Sequence, residues 1–338
     1  MPATVSQPAP SGLRADFWQR STVLVTGATG LLGSHLVRAL LDRHAHVIAL
    51  VRDGIPQSLF HAWGLDQKAV SVRGDLTDLP LLKRLLAEYE VNTIFHLGAQ
   101  TLVGTAFDDP VATFESNIKG TWNILEAARQ RGPKMLRVLI ASSDKAYGNL
   151  EGQSYSESTA LQGRYPYDVS KSCADLLAQS YHHTYGLPVA ITRCGNFFGA
   201  GDLNYSRLIP GTIRDVLAGR PPVIRSDGKF IRDYLYIEDG VGAYLQLAEA
   251  LVENNFFGNA FNFSYGLKLS ALEVVQKILV ALQRPDLQPT ILNTARAEIP
   301  VQTLNADKAR QLLQWQPHFG FDAGLRRTLD WYCSHLAA

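Results

Sequence analysis

The chain has 338 residues, 46% hydrophobic and 19% charged, with a net charge of +1, a length that supports a large core and one or two domains. The near-neutral balance carries no electrostatic footprint for nucleic acid or an anionic membrane surface, and no apolar run reaches the roughly 18 residues of a membrane span. Cys173, Cys194 and Cys333 are widely spaced, so neither a disulfide framework nor a thiolate metal site is expected, which suits a reducing cytoplasm. His44 with His46 and His182 with His183 are close pairs, but no Cys, Asp or Glu completes a ligand set around them, and no metal is expected.

Residues 1–19 are rich in Pro, Ala and Ser and lack an apolar h-region. They read as a disordered leader rather than a signal peptide. Thr22 to Val25 is a β-branched apolar run, a buried strand. Gly27-x-x-Gly30-x-x-Gly33 follows, and Leu31 to Asp42 has helical periodicity. A strand, a glycine-rich turn and a helix N-terminus make a pyrophosphate site, because glycines allow close backbone approach and the helix dipole favours an anion. The next strand, His46 to Val51, ends at Arg52-Asp53. An acid there suits the ribose hydroxyls of NAD, and an Arg suits the 2′-phosphate of NADP; the reading leans to NAD, with Asp53 on the ribose and Arg52 stacked on adenine.

Ala69 to Arg73 reads as a strand running into Gly74-Asp75-Leu76, with Asp75 placed to meet the adenine amino group. Leu79 to Tyr89 reads as an amphipathic helix, and Val91 to Leu97 as a strand ending in Leu97-Gly98-Ala99-Gln100. Small residues there let the backbone pass close to a cofactor. Pro110 opens a helical stretch to Arg131 that carries Asn117. Leu136 to Ile140 is a fifth strand, running into Ser142-Ser143-Asp144-Lys145. The alternation predicts a doubly wound parallel α/β sheet of Rossmann type, with ligands beyond the carboxyl ends of the strands.

Tyr167 opens a helix to about Tyr185, and Leu187 to Thr192 reads as a strand. Tyr167 and Lys171, four apart, share one helix face. An ammonium beside a phenol favours the phenolate, so Lys171 is expected to lower the Tyr167 pKa and make it a usable acid/base. From about Gly199 the pattern changes to short helices and loops with Pro210, Pro221 and Pro222. Residues 20–198, with about 230–265, read as the dinucleotide-binding domain. About 199–229 and 266–338 read as a smaller, mostly helical C-terminal substrate lobe, with helices at Ser270–Leu282, Ala306–Leu313 and Phe321–Tyr332.

Together, TGATGLLG, the Asp75 turn, NIKGT, SSDKAYG, Tyr167-x-x-x-Lys171 and RCGNFFG resemble the extended short-chain dehydrogenase/reductase family over Val23 to Tyr332. Within it the chain is similar to the nucleotide-sugar dehydratases and epimerases. Ser143-Asp144-Lys145, the stretch from Ala99 to Val103 and Arg207-Leu208-Ile209-Pro210 resemble the CDP-glucose 4,6-dehydratase branch. The chain departs from that branch at Gly27-Ala28-Thr29-Gly30 and at Ile231 to Tyr236, and Arg296-Ala297-Glu298 is closer to epimerases.

The resemblance implies a bound NAD, an NDP-hexose substrate and a homodimer built from two helices per subunit. It implies cofactor contacts from Gly27, Thr29, Gly30, Leu31, Leu32 and Gly33, from Arg52, Asp53, Asp75 and Leu76, and from Leu97, Gly98, Ala99, Gln100, Asn117 and Ser142. Tyr167 would act on the sugar C4 hydroxyl, Lys171 would hold the nicotinamide ribose and Ser143 the C4 oxygen. Asp144 would be the acid at C6 and Lys145 the base at C5, with Lys145 depressed by burial or by Lys171. Thr101, Asn196, Arg207, Arg232 and Arg296 would hold substrate, Arg suiting a diphosphate through its forked donors. The expected activity is a redox-neutral 4,6-dehydratase. A 4-epimerase, a 5,6-dehydratase and a non-catalytic dinucleotide-binding regulator are the alternatives.

Overall fold

The computed structural model describes residues 12–150, 154–295 and 298–336. Seven strands form the main sheet: β1 (Thr22–Thr26), β2 (His46–Val51), β3 (Val70–Arg73), β4 (Thr93–His96), β5 (Arg137–Ala141), β6 (Val189–Cys194) and β7 (Ala260–Phe263). Their order is β7-β6-β5-β4-β1-β2-β3, and every pairing is parallel. The order reverses between β1 and β4, so the loops leaving those two strands diverge and open a crevice at the carboxyl edge.

Strand alternation sends side chains to two cores. Val23, Val25, Phe95 and Leu139 pack on one face with the helices Leu31–Leu41 and Ile237–Asn254. Leu24, Ile94, Val138 and Ile140 pack on the other with Leu79–Glu88, Gly120–Arg131 and Pro166–Tyr185. A parallel sheet covered on both faces is the expected doubly wound architecture. The helix starts are chemically marked. Asp78 accepts from Leu81 N (2.9 Å) and Asp109 from Ala112 N (3.0 Å), each before a proline in the first turn. Ser270 and Glu273 form a capping box at the head of Ala271–Ala281, two backbone donors being met reciprocally.

A third apolar cluster joins Phe198, Tyr236, Phe321 and Tyr332 with Ile209, Ile213 and Ile278. Its framework includes the parallel pair Asn196–Phe198 and Tyr234–Tyr236 and the helices Leu208–Leu217, Ala271–Ala281 and Gly320–Leu336.

Two elements differ from the sequence-based expectation. Within the expected leader a helix, Gly12–Gln19, buries Trp18, whose Nε1 donates to Glu249 (2.7 Å); a buried indole with a partner fixes the segment against the sheet. Residues 1–11 lie outside the described residues. The helix Ile237–Asn254 was not expected, because Gly240 and Gly242 dilute its early turns. Gly240 is required by packing, since a Cβ there would lie 2.3 Å from the Phe197 ring. Leu208–Leu217 is regular despite Pro210, which falls in the first turn, where its missing N–H costs nothing. No described helix is long and apolar enough to cross a membrane.

Candidate active site

The crevice begins where the loops after β1 and β4 meet. Gly27 has φ +69°, and a Cβ on it would lie 2.8 Å from Gly98 N. On Gly33 a Cβ would fall 2.0 Å from Gly27 O. Both glycines are dictated by backbone meeting backbone. Thr29 is half-buried in the turn, Gly30 is the helix N-cap with no side-chain cap, and Leu31 and Leu32 lean on the third cluster. Thr26 Oγ1 accepts from Leu97 N (3.1 Å) and Gly98 N (2.9 Å) and lies 2.9 Å from His96 Nδ1, to which it donates. His96 Nε2 donates to Thr121 Oγ1 (3.1 Å), whose own proton goes to Asn117 O (2.6 Å). Burial, then Lys171, pushes His96 down to about 3, so this hydroxyl–imidazole chain is neutral.

Asn117 lies in a π-helical turn, Glu115–Lys119. It accepts from Gln100 N (2.7 Å) and donates to Gln100 O (2.9 Å) and Ser170 Oγ (2.9 Å). It therefore ties the β4 loop to the helix that carries Tyr167. Gln100 is turned inward, its amide bonded to Leu102 and Thr113. Ala99 is half-buried, and Leu76 packs its side chain toward Gly98 and Gly120. Asp75 accepts from Thr77 N and Oγ1 (both 2.7 Å); burial raises its pKa, but these bonds and Arg52 outweigh it and hold the carboxyl below its usual value. Arg52 and Asp53 pair with each other (2.6 Å), both well exposed at the end of β2. The uncapped helix N-terminus and the buried Ser142 Oγ, which has no partner, fit a dinucleotide's need for donors to its pyrophosphate and ribose.

Tyr167 and Lys171 face the same crevice from the Pro166–Tyr185 helix, both buried. Lys171 Nζ donates to Ala141 O (2.8 Å), and burial pushes it down to about 8. The expectation that Lys171 lowers the Tyr167 pKa is corrected here. Burial, followed by Asp144, holds the phenol well above its usual value; a hydrogen bond with Ser143 and the charge of Arg207 pull it back only in part. Ser143 caps the short turn Asp144–Tyr147, accepting from Lys145 N (3.2 Å) and donating to Asp144 Oδ1 (3.0 Å).

Asp144 is fully buried, and its Oδ2 has no partner. Burial raises its pKa against the pull of Lys145. Lys145 is half-buried and donates to Gln302 Oε1 (2.7 Å). Burial, then the cation Arg232, lowers its pKa; Asp144, Asp168 and Glu298 oppose. The depressing cation is thus Arg232 rather than Lys171. Asp168 is buried with Oδ2 unpartnered, and burial pushes it up to about 6.

Arg232 is nearly buried, and its donors go to Ile231 O (3.0 Å), Pro300 O (3.3 Å) and Glu298 (2.9 Å). Arg207 donates to Asp202 (3.0 Å) and across the crevice to Thr101 Oγ1 (3.1 Å). Asn196 opens the strand Asn196–Phe198, opposite Tyr234. Arg296 lies outside the described residues.

Comparison with known proteins accords with this geometry. The profile of a family described as GDP-mannose 4,6 dehydratase matches residues 24–328. The chain belongs to that family. It is similar to the dTDP-glucose 4,6-dehydratase of Xanthomonas campestris pv. campestris, at 30% identity over 334 residues, covering 93% of this chain and 94% of the relative. It is similar to the CDP-glucose 4,6-dehydratase of Salmonella typhimurium, at 30% identity over 332 residues, covering 94% and 92%. The crystal structure of DesIV, a dTDP-glucose 4,6-dehydratase from Streptomyces venezuelae with NAD bound, superposes with a TM-score of 0.83 at 29% identity, covering 94% of this chain and 98% of that one.

Sequence reasoning for this dehydratase-family chain missed Asp168, Gln302, Thr26 and His96. Asp168 lay in plain view inside Tyr167-x-x-x-Lys171. Gln302 carries no local signal, because it reaches Lys145 across 157 residues of chain.

Proposed function

We propose that this chain is an NAD-dependent NDP-hexose 4,6-dehydratase. NAD, when bound, supplies a hydride acceptor for C4 and a hydride donor for C6. Tyr167 would take the proton of the C4 hydroxyl as its phenolate, the form that burial disfavours in the chain alone and that a cationic nicotinamide beside it would favour; Ser143 holds that oxygen, and Lys171 orients the ribose beside them. A carbonyl at C4 acidifies C5–H. The Lys145 amine then removes the C5 proton, the C5–C6 double bond forms, and the C6–O bond breaks. Asp144 gives its proton to the departing hydroxyl, which leaves as water. Lys145 finally returns a proton to C5, giving a 4-keto-6-deoxy sugar.

The observation that carries this reading is the adjacent pair Asp144 and Lys145, whose surroundings push the carboxyl up and the amine down. Groups driven apart in this way are poised as acid and base. A 4-epimerase needs neither. The test is mass analysis of products from CDP-, UDP-, dTDP- and GDP-glucose. Loss of one water from one of them is expected, and an isomer of unchanged mass would contradict the reading.

In the same proposal, Asp53 favours NAD over NADP, the crevice side of the third cluster holds the nucleotide, and the protein works in the cytoplasm. The homodimer uses the helical stretches Pro110–Arg131 and Pro166–Tyr185, which leave Val111, Trp122 and Leu176 exposed at 69%, 42% and 53%. Trp122→Glu, on that face, is expected to give a monomer in light scattering.

A further inference from the structure

We propose that Gln302 is a positioning residue of the elimination step, its amide oxygen holding the Lys145 amine as a neutral partner while its buried amide N–H faces an open requirement for a substrate oxygen. The inference rests on the dehydratase reading above.

The segment that delivers Gln302 is held from two sides. Ile231 N donates to Pro300 O (2.9 Å) and Gln302 N donates to Ile231 O (3.1 Å), with Ile231 bridged to Val301. On the other side Tyr155 N donates to Thr303 O (2.9 Å), with Tyr155 bridged to Leu304. Arg232 clamps the head of the segment through Glu298 and Pro300 O. Gln302 is 0% exposed. Its Oε1 meets Lys145 Nζ, and its Nε2 is buried with no partner. Buried donors are rarely left unmet, and one beside a reactive amine points to a ligand acceptor.

The choice of an amide is chemically specific. Lys145 is faced by Asp144 on its own turn, Asp168 on the Pro166–Tyr185 helix, Arg232 on the neighbouring strand and Glu298 on the delivering segment. Three carboxyl groups already favour the ammonium; burial and Arg232 oppose them. A fourth carboxylate in hydrogen-bond contact would fix the ammonium and remove the base. An apolar side chain would leave the amine unanchored. A neutral acceptor orients the amine without securing its charge.

The test uses the full chain and two variants, Gln302→Glu and Gln302→Met, with CDP-glucose and dTDP-glucose as probes in deuterated water. C4 oxidation is followed as reduced nicotinamide in a single turnover, and elimination as 4-keto-6-deoxy product. Gln302→Glu is expected to spare oxidation within about twofold and to move the acidic limb of the elimination profile at least about one pH unit upward. Gln302→Met is expected to slow elimination about tenfold or more with no shift of that limb, the scale of a lost positioning contact. Unchanged profiles in both variants would overturn the inference, as would equal loss of both steps. If the unaltered protein makes no dehydrated product, the dehydratase reading itself fails, a distinct outcome.

Discussion

Two lysines reach the candidate active site, Lys171 buried and Lys145 half-buried, and the structure treats them differently. Lys171 is anchored to a main-chain carbonyl, Ala141 O, and Asp175 is the group that favours its charge. Lys145 is anchored to a side-chain amide and ringed by Asp144, Asp168, Glu298 and Arg232. Both anchors are neutral amide oxygens, one on the main chain and one on a side chain. What differs is the charge around each amine: one carboxylate favours the charge of Lys171, whereas three carboxyl groups and a guanidinium compete around Lys145, the setting of a group proposed to gain and lose a proton. The two lysines are told apart by their charged neighbours, since burial lowers both.

Breaking the Lys171 side should give the largest effect. Tyr167→Phe removes the acid/base for the C4 hydroxyl and should lower turnover about a thousandfold or more, within the range of general acid–base catalysis, while NAD affinity by calorimetry stays within about threefold of the unaltered protein; full activity would refute the Tyr167 assignment. On the Lys145 side, Asp144→Asn keeps the shape but not the proton. Turnover should fall about a hundredfold, with oxidised 4-keto sugar accumulating in rapid-quench samples.

A smaller effect concerns stability. Burial pushes Asp168 up to about 6 in the fold, above its ordinary value of 3.8. Because the folded pKa is raised, its contribution is fully present below about 4 and is lost as pH rises through about 6. Asp168→Asn should therefore flatten the fall in Tm between pH 4 and 7 relative to the unaltered chain; parallel Tm curves would show that its burial does not cost stability. The smallest effect belongs to Asp53→Ala, which should weaken NAD about three- to tenfold, because an exposed pair contributes little beyond its ligand contact. Unchanged affinity would place the ribose contact elsewhere.

The first half of this comparison was legible in the sequence and the second half only in part. Strand alternation, the Gly27 turn and the Tyr167 to Lys171 spacing are local patterns, and β1 to β6 fall within a residue or two of their expected bounds. The apolar face of Ile237–Asn254 was hidden by Gly240, a residue chosen by its contact with Phe197. The partners of Lys145 come from four separated stretches, and the delivering segment after Glu298 has extended backbone with no periodicity to announce it. Local rules read residues that neighbour one another on a helix or strand; they do not read which remote amide meets a lysine. The direction of the Tyr167 shift was missed for the same reason, because the burial that raises the phenol, and then the approach of Asp144, come through the fold.

The most direct test of the account is the fate of the C5 proton. In deuterated water the unaltered protein should give a product deuterated at C5, and Lys145→Met should still oxidise C4 yet keep the original hydrogen at C5. Deuterium entering C5 in Lys145→Met as fast as in the unaltered protein would contradict the assignment of Lys145 as the base.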